Sequence, residues 1–171
     1  HPDGELSQAP QRSGLVNVTR LVLPGATDEL EIVSESRIEV TRLPEFAWDS
    51  DFDVATIGQM ARESDDVSDL APANFLYPSA FIPEDAAIAA WSASTLASDR
   101  PIFAAAFDLA MRIYSEFEFD PDATKTETLP GTAFAARAGV CQDFAQIMIC
   151  ALRAAGIPAA YASGYIRTIP P

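Results

Sequence analysis

The chain has 171 residues, 49% of them hydrophobic and 21% charged, which suits one or two globular domains with a real core and excludes a disordered tail. Eleven basic residues against 25 acidic ones leave a net charge of −14, a field that repels phosphate backbones and anionic lipid, so neither nucleic acid nor a membrane surface is an expected partner. No apolar stretch reaches the roughly 18 residues needed to cross a bilayer, since Asp108 and Arg112 interrupt the longest one, Pro101 to Tyr114.

The chain opens on His1-Pro2 with no basic-then-apolar leader pattern, so its start is expected to have been removed or chosen artificially. Gly14 to Leu23 then reads as a strand, Pro24-Gly25 as a turn and Leu30 to Leu43 as a second strand of near period two, together a half-buried antiparallel sheet. From Pro44 to Pro78 the sequence is acidic and proline-bearing, with a short helix around Val54 to Arg62, and reads as a connector. Helical patterning follows from Pro83, placed in a first turn, to about Leu96. A second helix is expected from Arg100 to Ser115, with Phe103, Phe107, Ala110, Met111 and Tyr114 as its buried stripe. Asp122 to Pro130 is a polar loop, and Thr132 to Ala138 a short helix ended by Gly139 in the left-handed conformation. An apolar helix runs from Cys141 to about Ala155, closed by Gly156, and Ala159 to Thr168 reads as a strand. The expected class is α+β: a strand-rich N-terminal domain with its connector over 1–77, then a largely helical core over 78–171.

Cys141 carries the chemistry. In the first turn of a helix several backbone N–H groups lack internal partners and the macrodipole is positive, which favours thiolate over thiol. The thiolate is the nucleophile, and the free N–H of Cys141 could bind a developing oxyanion. Gly139 before it permits close approach of backbone or substrate. Judged by position alone, a free cysteine is more often a small buried hydrophobe. Cys150 fits that description, lying mid-helix among Ile147, Met148, Ile149, Ala151 and Leu152. Nine steps of about 100° put the two cysteines on opposite faces of one helix, so they cannot pair, and a reduced, cytoplasmic setting is the default. Asp143 is expected to cap or stabilise the first turn rather than to act in catalysis, since an anion beside a thiolate disfavours it. Gln142 could donate to an oxyanion or face solvent. Tyr165 and Arg167 share a face of the terminal strand, where packing or exposure is the default and a place in a substrate cleft the alternative.

Gly139-Val-Cys-Gln-Asp-Phe-Ala145, Leu152-Arg-Ala-Ala-Gly-Ile-Pro158 and Tyr161-Ala-Ser-Gly-Tyr-Ile-Arg167 together resemble the core motif of the bacterial transglutaminase-like superfamily, which includes cysteine proteases. Phe119-Asp-Pro-Asp-Ala-Thr124 fits the same pattern, and the strand-rich start is similar in character to the domain that often precedes this core. The resemblance implies a papain/transglutaminase-like core in which Cys141 attacks a peptide or glutamine-type amide to form a thioester. It also implies a histidine base and an orienting aspartate on the two strands that follow Ala159 to Thr168. The only histidine in the sequence is His1, so the core is expected to be truncated after its first strand and this chain alone to be inactive or nearly so. Such an ending would leave an open sheet edge prone to self-association.

Other constellations fail on chemistry. Asp49, Asp51 and Asp53 have the opening spacing of a calcium loop, but Val54 stands where glycine is needed and Met60 where a bidentate glutamate is needed. One histidine and two opposed cysteines make no zinc site, so neither a metal nor any other cofactor is expected. Asn17-Val-Thr19 is a glycosylation sequon by chance. The expected function is thiol-dependent acyl transfer or hydrolysis on a peptide or protein substrate, hydrolysis being preferred. The alternative is a non-catalytic binding or scaffolding module on a truncated or degenerate transglutaminase-like fold.

Overall fold

A computed structural model describes residues 5–10, 17–23, 25–26, 28–33, 35 and 52–164. The chain divides into two compact units, one of residues 1–47 and 67–70, the other of residues 48–66 and 71–171. In the first unit, β1 (Glu5–Pro10) and β2 (Asn17–Val22) pair antiparallel in a register that runs from Glu5 opposite Val22 to Pro10 opposite Asn17. β2 falls inside the strand expected over Gly14 to Leu23, whereas β1 carried no alternation that announced it. The strand-rich domain is not confirmed: residues 30–33 and 35 of the second expected strand join no ladder, and Leu30, Ile32 and Val33 are exposed. The rest of that strand lies outside the described residues.

The second unit is helical. α1 (Val54–Arg62) begins where Asp53, in extended backbone, accepts a hydrogen bond from the Thr56 N–H at 2.7 Å, satisfying one donor that the first turn leaves open. This helix matches the bounds expected from sequence, yet it clusters with the core as well as lying in the acidic stretch. Val54 and Ala55 donate to the carbonyls of Arg100 and Ser98, and Ile102 donates to Phe52. α2 (Ala86–Ser92) starts later than Pro83, because the Asp85 carboxylate takes the Ala87 and Ile88 N–H groups, both at 2.9 Å, and so fixes the N-cap there.

α3 (Ile102–Glu116) has the expected extent but buries the other face. Ala105, Leu109 and Ile113 are in the core, while Phe103, Phe107, Met111 and Tyr114 are 45 to 81% exposed and Ala110 is also exposed. The helix carries two apolar stripes, and its polar anchors choose between them. Arg112 donates to the Trp91 carbonyl and the Thr95 hydroxyl, and Arg100 pairs with Asp108. Those bonds turn the aliphatic stripe inward. Glu116 at the end of α3 accepts from the Trp91 indole N–H and from Arg112, both at 2.8 Å, and pairs with Arg137 at 3.3 Å. Trp91, Phe117, Phe134 and Phe144 meet beneath it with ring centroids 5.5 to 6.0 Å apart.

β3 (Glu118–Phe119) pairs in parallel with β4 (Ala138–Gly139), and α4 (Pro130–Ala136) crosses between them. The residue that ends α4 in the left-handed region is Arg137, at φ 54°, and not Gly139. A side chain there costs roughly 1–2 kcal/mol. The guanidinium of Arg137 lies 4.3 Å from the Phe134 ring centroid and 4.8 Å from that of Phe117, interactions that hold the turn. α5 (Cys141–Ala154) follows at once, with Ile147, Ile149, Cys150 and Ala151 in the core. Gly156, at φ 77°, closes it as expected, and the Ile157 N–H bonds back to Leu152.

The strand expected over Ala159 to Thr168 is absent from its described part, residues 159–164. Both backbone groups of Ala159 have other partners: its N–H donates to Phe75, and its carbonyl accepts from Arg153 at 2.7 and 3.0 Å. Among the described residues no helix is long and apolar enough to cross a membrane.

Two outcomes test this packing. Leu109→Ala should cost about 2–5 kcal/mol in denaturant unfolding, while Tyr114→Ala should stay within about 0.5 kcal/mol. The Arg112 bond holds the Glu116 carboxyl below its ordinary value of 4.5. A lowered folded value means that its contribution is present above that value and lost as pH falls through the folded one. Glu116→Gln should therefore flatten the acid limb of a thermal-stability profile below about pH 4.5.

Candidate active site

Two residues separate the left-handed turn at Arg137 from extended Val140, the N-cap of α5. Cys141 is the first residue of the helix and is exposed to solvent, while its helix-mate Cys150 is buried. The N–H groups of this first turn point toward the same end as the thiol and have no intrahelical acceptor.

Asp143 organises the turn. It is 1% exposed, and its Oδ2 accepts from the Val140 N–H at 2.8 Å and from the Thr124 hydroxyl at 2.6 Å. The structure thus places it in the capping position expected of it. Its Oδ1 is also buried and has no hydrogen-bond partner among the described residues, an arrangement that ordinarily costs about 1–3 kcal/mol. One turn further along the same helix, Gln146 is 7% exposed and its Oε1 likewise has no partner among the described residues. Gly139 is explained by Asp143: a Cβ at 139 would stand 2.6 Å from Asp143 Oδ2 and 3.0 Å from its Cβ. Close approach of this carboxylate, and not a left-handed backbone, is what excludes a side chain.

Gln142 is half-buried, and its Nε2 donates to the Thr126 carbonyl at 3.0 Å. Together with the Thr124 bond this fastens the loop between β3 and α4 alongside the start of α5. The loop is ordered internally as well: Asp120 accepts from the Asp122 N–H, and Lys125 and Thr128 exchange two bonds at 2.8 and 2.9 Å. The sequence offered Thr124 only as the end of the Phe119 to Thr124 segment and Thr126 not at all, because nothing local distinguishes either from other polar loop residues.

Cys150 is 3% exposed, and its thiol lies 3.3 Å from the Pro83 carbonyl. Burial pushes this thiol up from its ordinary 9.0, and the Asp85 charge adds to the effect. A cleft of about 520 Å³ opens beside it, lined by Ile82, Asp85, Cys150 and Arg153 among others. At 1.5 Å per residue, Arg153 is about 18 Å along α5 from Cys141, so this cleft does not serve the exposed thiol. Among the described residues no group of His, Cys, Asp and Glu could hold a metal ion. Asp53 of the rejected calcium loop is the N-cap of α1. His1, Asp49, Asp51, Tyr165 and Arg167 lie outside the described residues.

Residues 89–169 match the transglutaminase-like superfamily, so this stretch of the chain is similar to that family's core. Uncharacterized proteins of Mycobacterium bovis and Mycobacterium tuberculosis are 41% identical over 85 residues, 50% of this chain. The aligned stretch makes up 27% of each relative's length, so the chain spans about a quarter of the curated proteins it matches. The crystal structure of a candidate cysteine protease from Cytophaga hutchinsonii is 27% identical, with a TM-score of 0.46, over 50% of this chain and 29% of that one.

The two thiols should separate in solution. Iodoacetamide at pH 8 is expected to alkylate Cys141 at least about tenfold faster than Cys150, read by peptide mass spectrometry of the native protein. Comparable rates would show that the start of α5 is covered.

Proposed function

We propose that Cys141 is the nucleophile of a thiol-dependent acyl transfer or hydrolysis on peptide or glutamine-type amides. The observation that carries this reading is the exposed thiol on the first residue of α5, over a turn that the buried Asp143 holds rigid. The match of residues 89–169 to the transglutaminase-like superfamily supports it.

The chemistry follows from the position. The sulfur adds to the amide carbonyl carbon, a C–S bond forms and the π pair moves onto oxygen. The N–H groups at the start of α5 stabilise that oxygen. Collapse breaks the C–N bond, and the departing amine takes up the proton that the thiol released. Water then adds to the thioester and frees the carboxylic acid and the thiol. Hydrolysis is preferred to amine transfer because no amine-acceptor site is assigned among these residues.

Proton movement is the part these residues do not assign. His1 is the only histidine in the sequence, so Cys141 has the nucleophile's role alone and the 171-residue chain by itself is proposed to be inactive or nearly so. Peptide or protein remains the proposed substrate and the cell interior the proposed setting.

Trapping decides between this reading and a non-catalytic binding module. The natural protein is incubated with a peptide thioester-forming substrate, quenched in acid and analysed by mass. A substrate acyl group on Cys141, absent in Cys141→Ser, is the expected result; turnover that survives Cys141→Ser would remove Cys141 as the nucleophile, and neither adduct nor turnover at any time would leave the binding module standing.

A further inference from the structure

The loop over residues 120–129 is tied to the turn that carries Cys141 at two points, and both ties use residues within two positions of the nucleophile. The Thr124 hydroxyl reaches Asp143 Oδ2 at 2.6 Å, and the Thr126 carbonyl receives the Gln142 amide at 3.0 Å. A helix cap needs one carboxylate oxygen and one N–H, and it works in full contact with solvent. Asp143 exceeds that requirement: it is 1% exposed, serves a donor on each of two segments, and keeps a buried Oδ1 with no partner among the described residues. The outward side of the loop stays open, with Ala123, Lys125, Thr126 and Glu127 all exposed.

We infer that Asp143 is a positioning residue that locks the 120–129 loop as a fixed wall beside Cys141, against which the peptide chain of the acyl substrate lies. The inference rests on the acyl chemistry proposed for Cys141 and adds the element that orients its substrate. A small reagent needs only the thiol. A peptide needs the thiol and the wall, so loosening the Thr124 tie penalises the peptide selectively.

The experiment compares two electrophiles on the natural protein: iodoacetamide, and a tripeptidyl chloromethyl ketone from which the thiolate displaces chloride. The quantity read is the ratio of the peptide rate to the iodoacetamide rate at Cys141. Thr124→Val removes the hydroxyl and keeps the shape, and is expected to lower that ratio about three- to tenfold, the equivalent of one hydrogen bond. Thr124→Ser keeps the hydroxyl and should restore it, which a change in overall folding would not do. Hydrogen exchange over residues 123–128 should rise in Thr124→Val and not in Thr124→Ser. If wild-type Cys141 takes both reagents and the ratio is the same in Thr124→Val, the wall is overturned while the acyl chemistry stands. If Cys141 takes iodoacetamide and never the peptide reagent, the acyl chemistry falls and the wall with it.

Discussion

One carboxylate oxygen holds the start of α5. Asp143 Oδ2 accepts from Val140 on the approach to the helix and from Thr124 on the loop that precedes α4, two segments that no ladder joins at that point. Remove that oxygen and Val140 loses its cap while the loop loses its nearest anchor. The parallel pair of β3 and β4 then has to hold the approach to Cys141 with two residues on each strand. The anchor works because it is dry: at 1% exposure an N–H to carboxylate bond is not diluted by competing water.

A second arrangement delivers the chain to this anchor. Arg137 takes the left-handed turn that would ordinarily fall to glycine, and it is held there by Phe134 and Phe117 below and Glu116 beside it. Glu116 is in turn shared with Arg112 and Trp91, so the ends of α3, α2 and α4 converge on one ionic and aromatic cluster. Strain in the backbone is offset by side-chain contacts three residues before the site begins.

What was legible in the sequence was whatever a local signal fixes. Gly156 is a terminator whose partners lie within a few residues, and the end of α5 followed from it, whereas Asp53, the cap of α1, was weighed only as part of a calcium loop. The position of Cys141 at a helix start followed from the breaking residues before it and the apolar run after it. The buried face of α3 was not legible, because two apolar stripes satisfy the helical period and the choice lies with Arg112 and its partners on and just after α2. The tie between Thr124 and Asp143 spans 19 residues of sequence and has no periodic signature. Gly139 was read both as a left-handed helix end, which Arg137 takes instead, and as a point of close approach, and only the folded-back Asp143 carboxylate reveals what approaches.

That space couples two positions in descent as well as in geometry. With 2.6 Å between a would-be Cβ at 139 and the Asp143 oxygen, no lineage can give residue 139 a side chain and keep the carboxylate where it is. Any drift at 139 must be preceded by a change at 143, and a change at 143 releases Val140 and Thr124 together. Homologues that keep this carboxylate should therefore keep glycine at 139, whereas those that lose it are free to vary there, a one-way dependence that marks chains which kept this helix start.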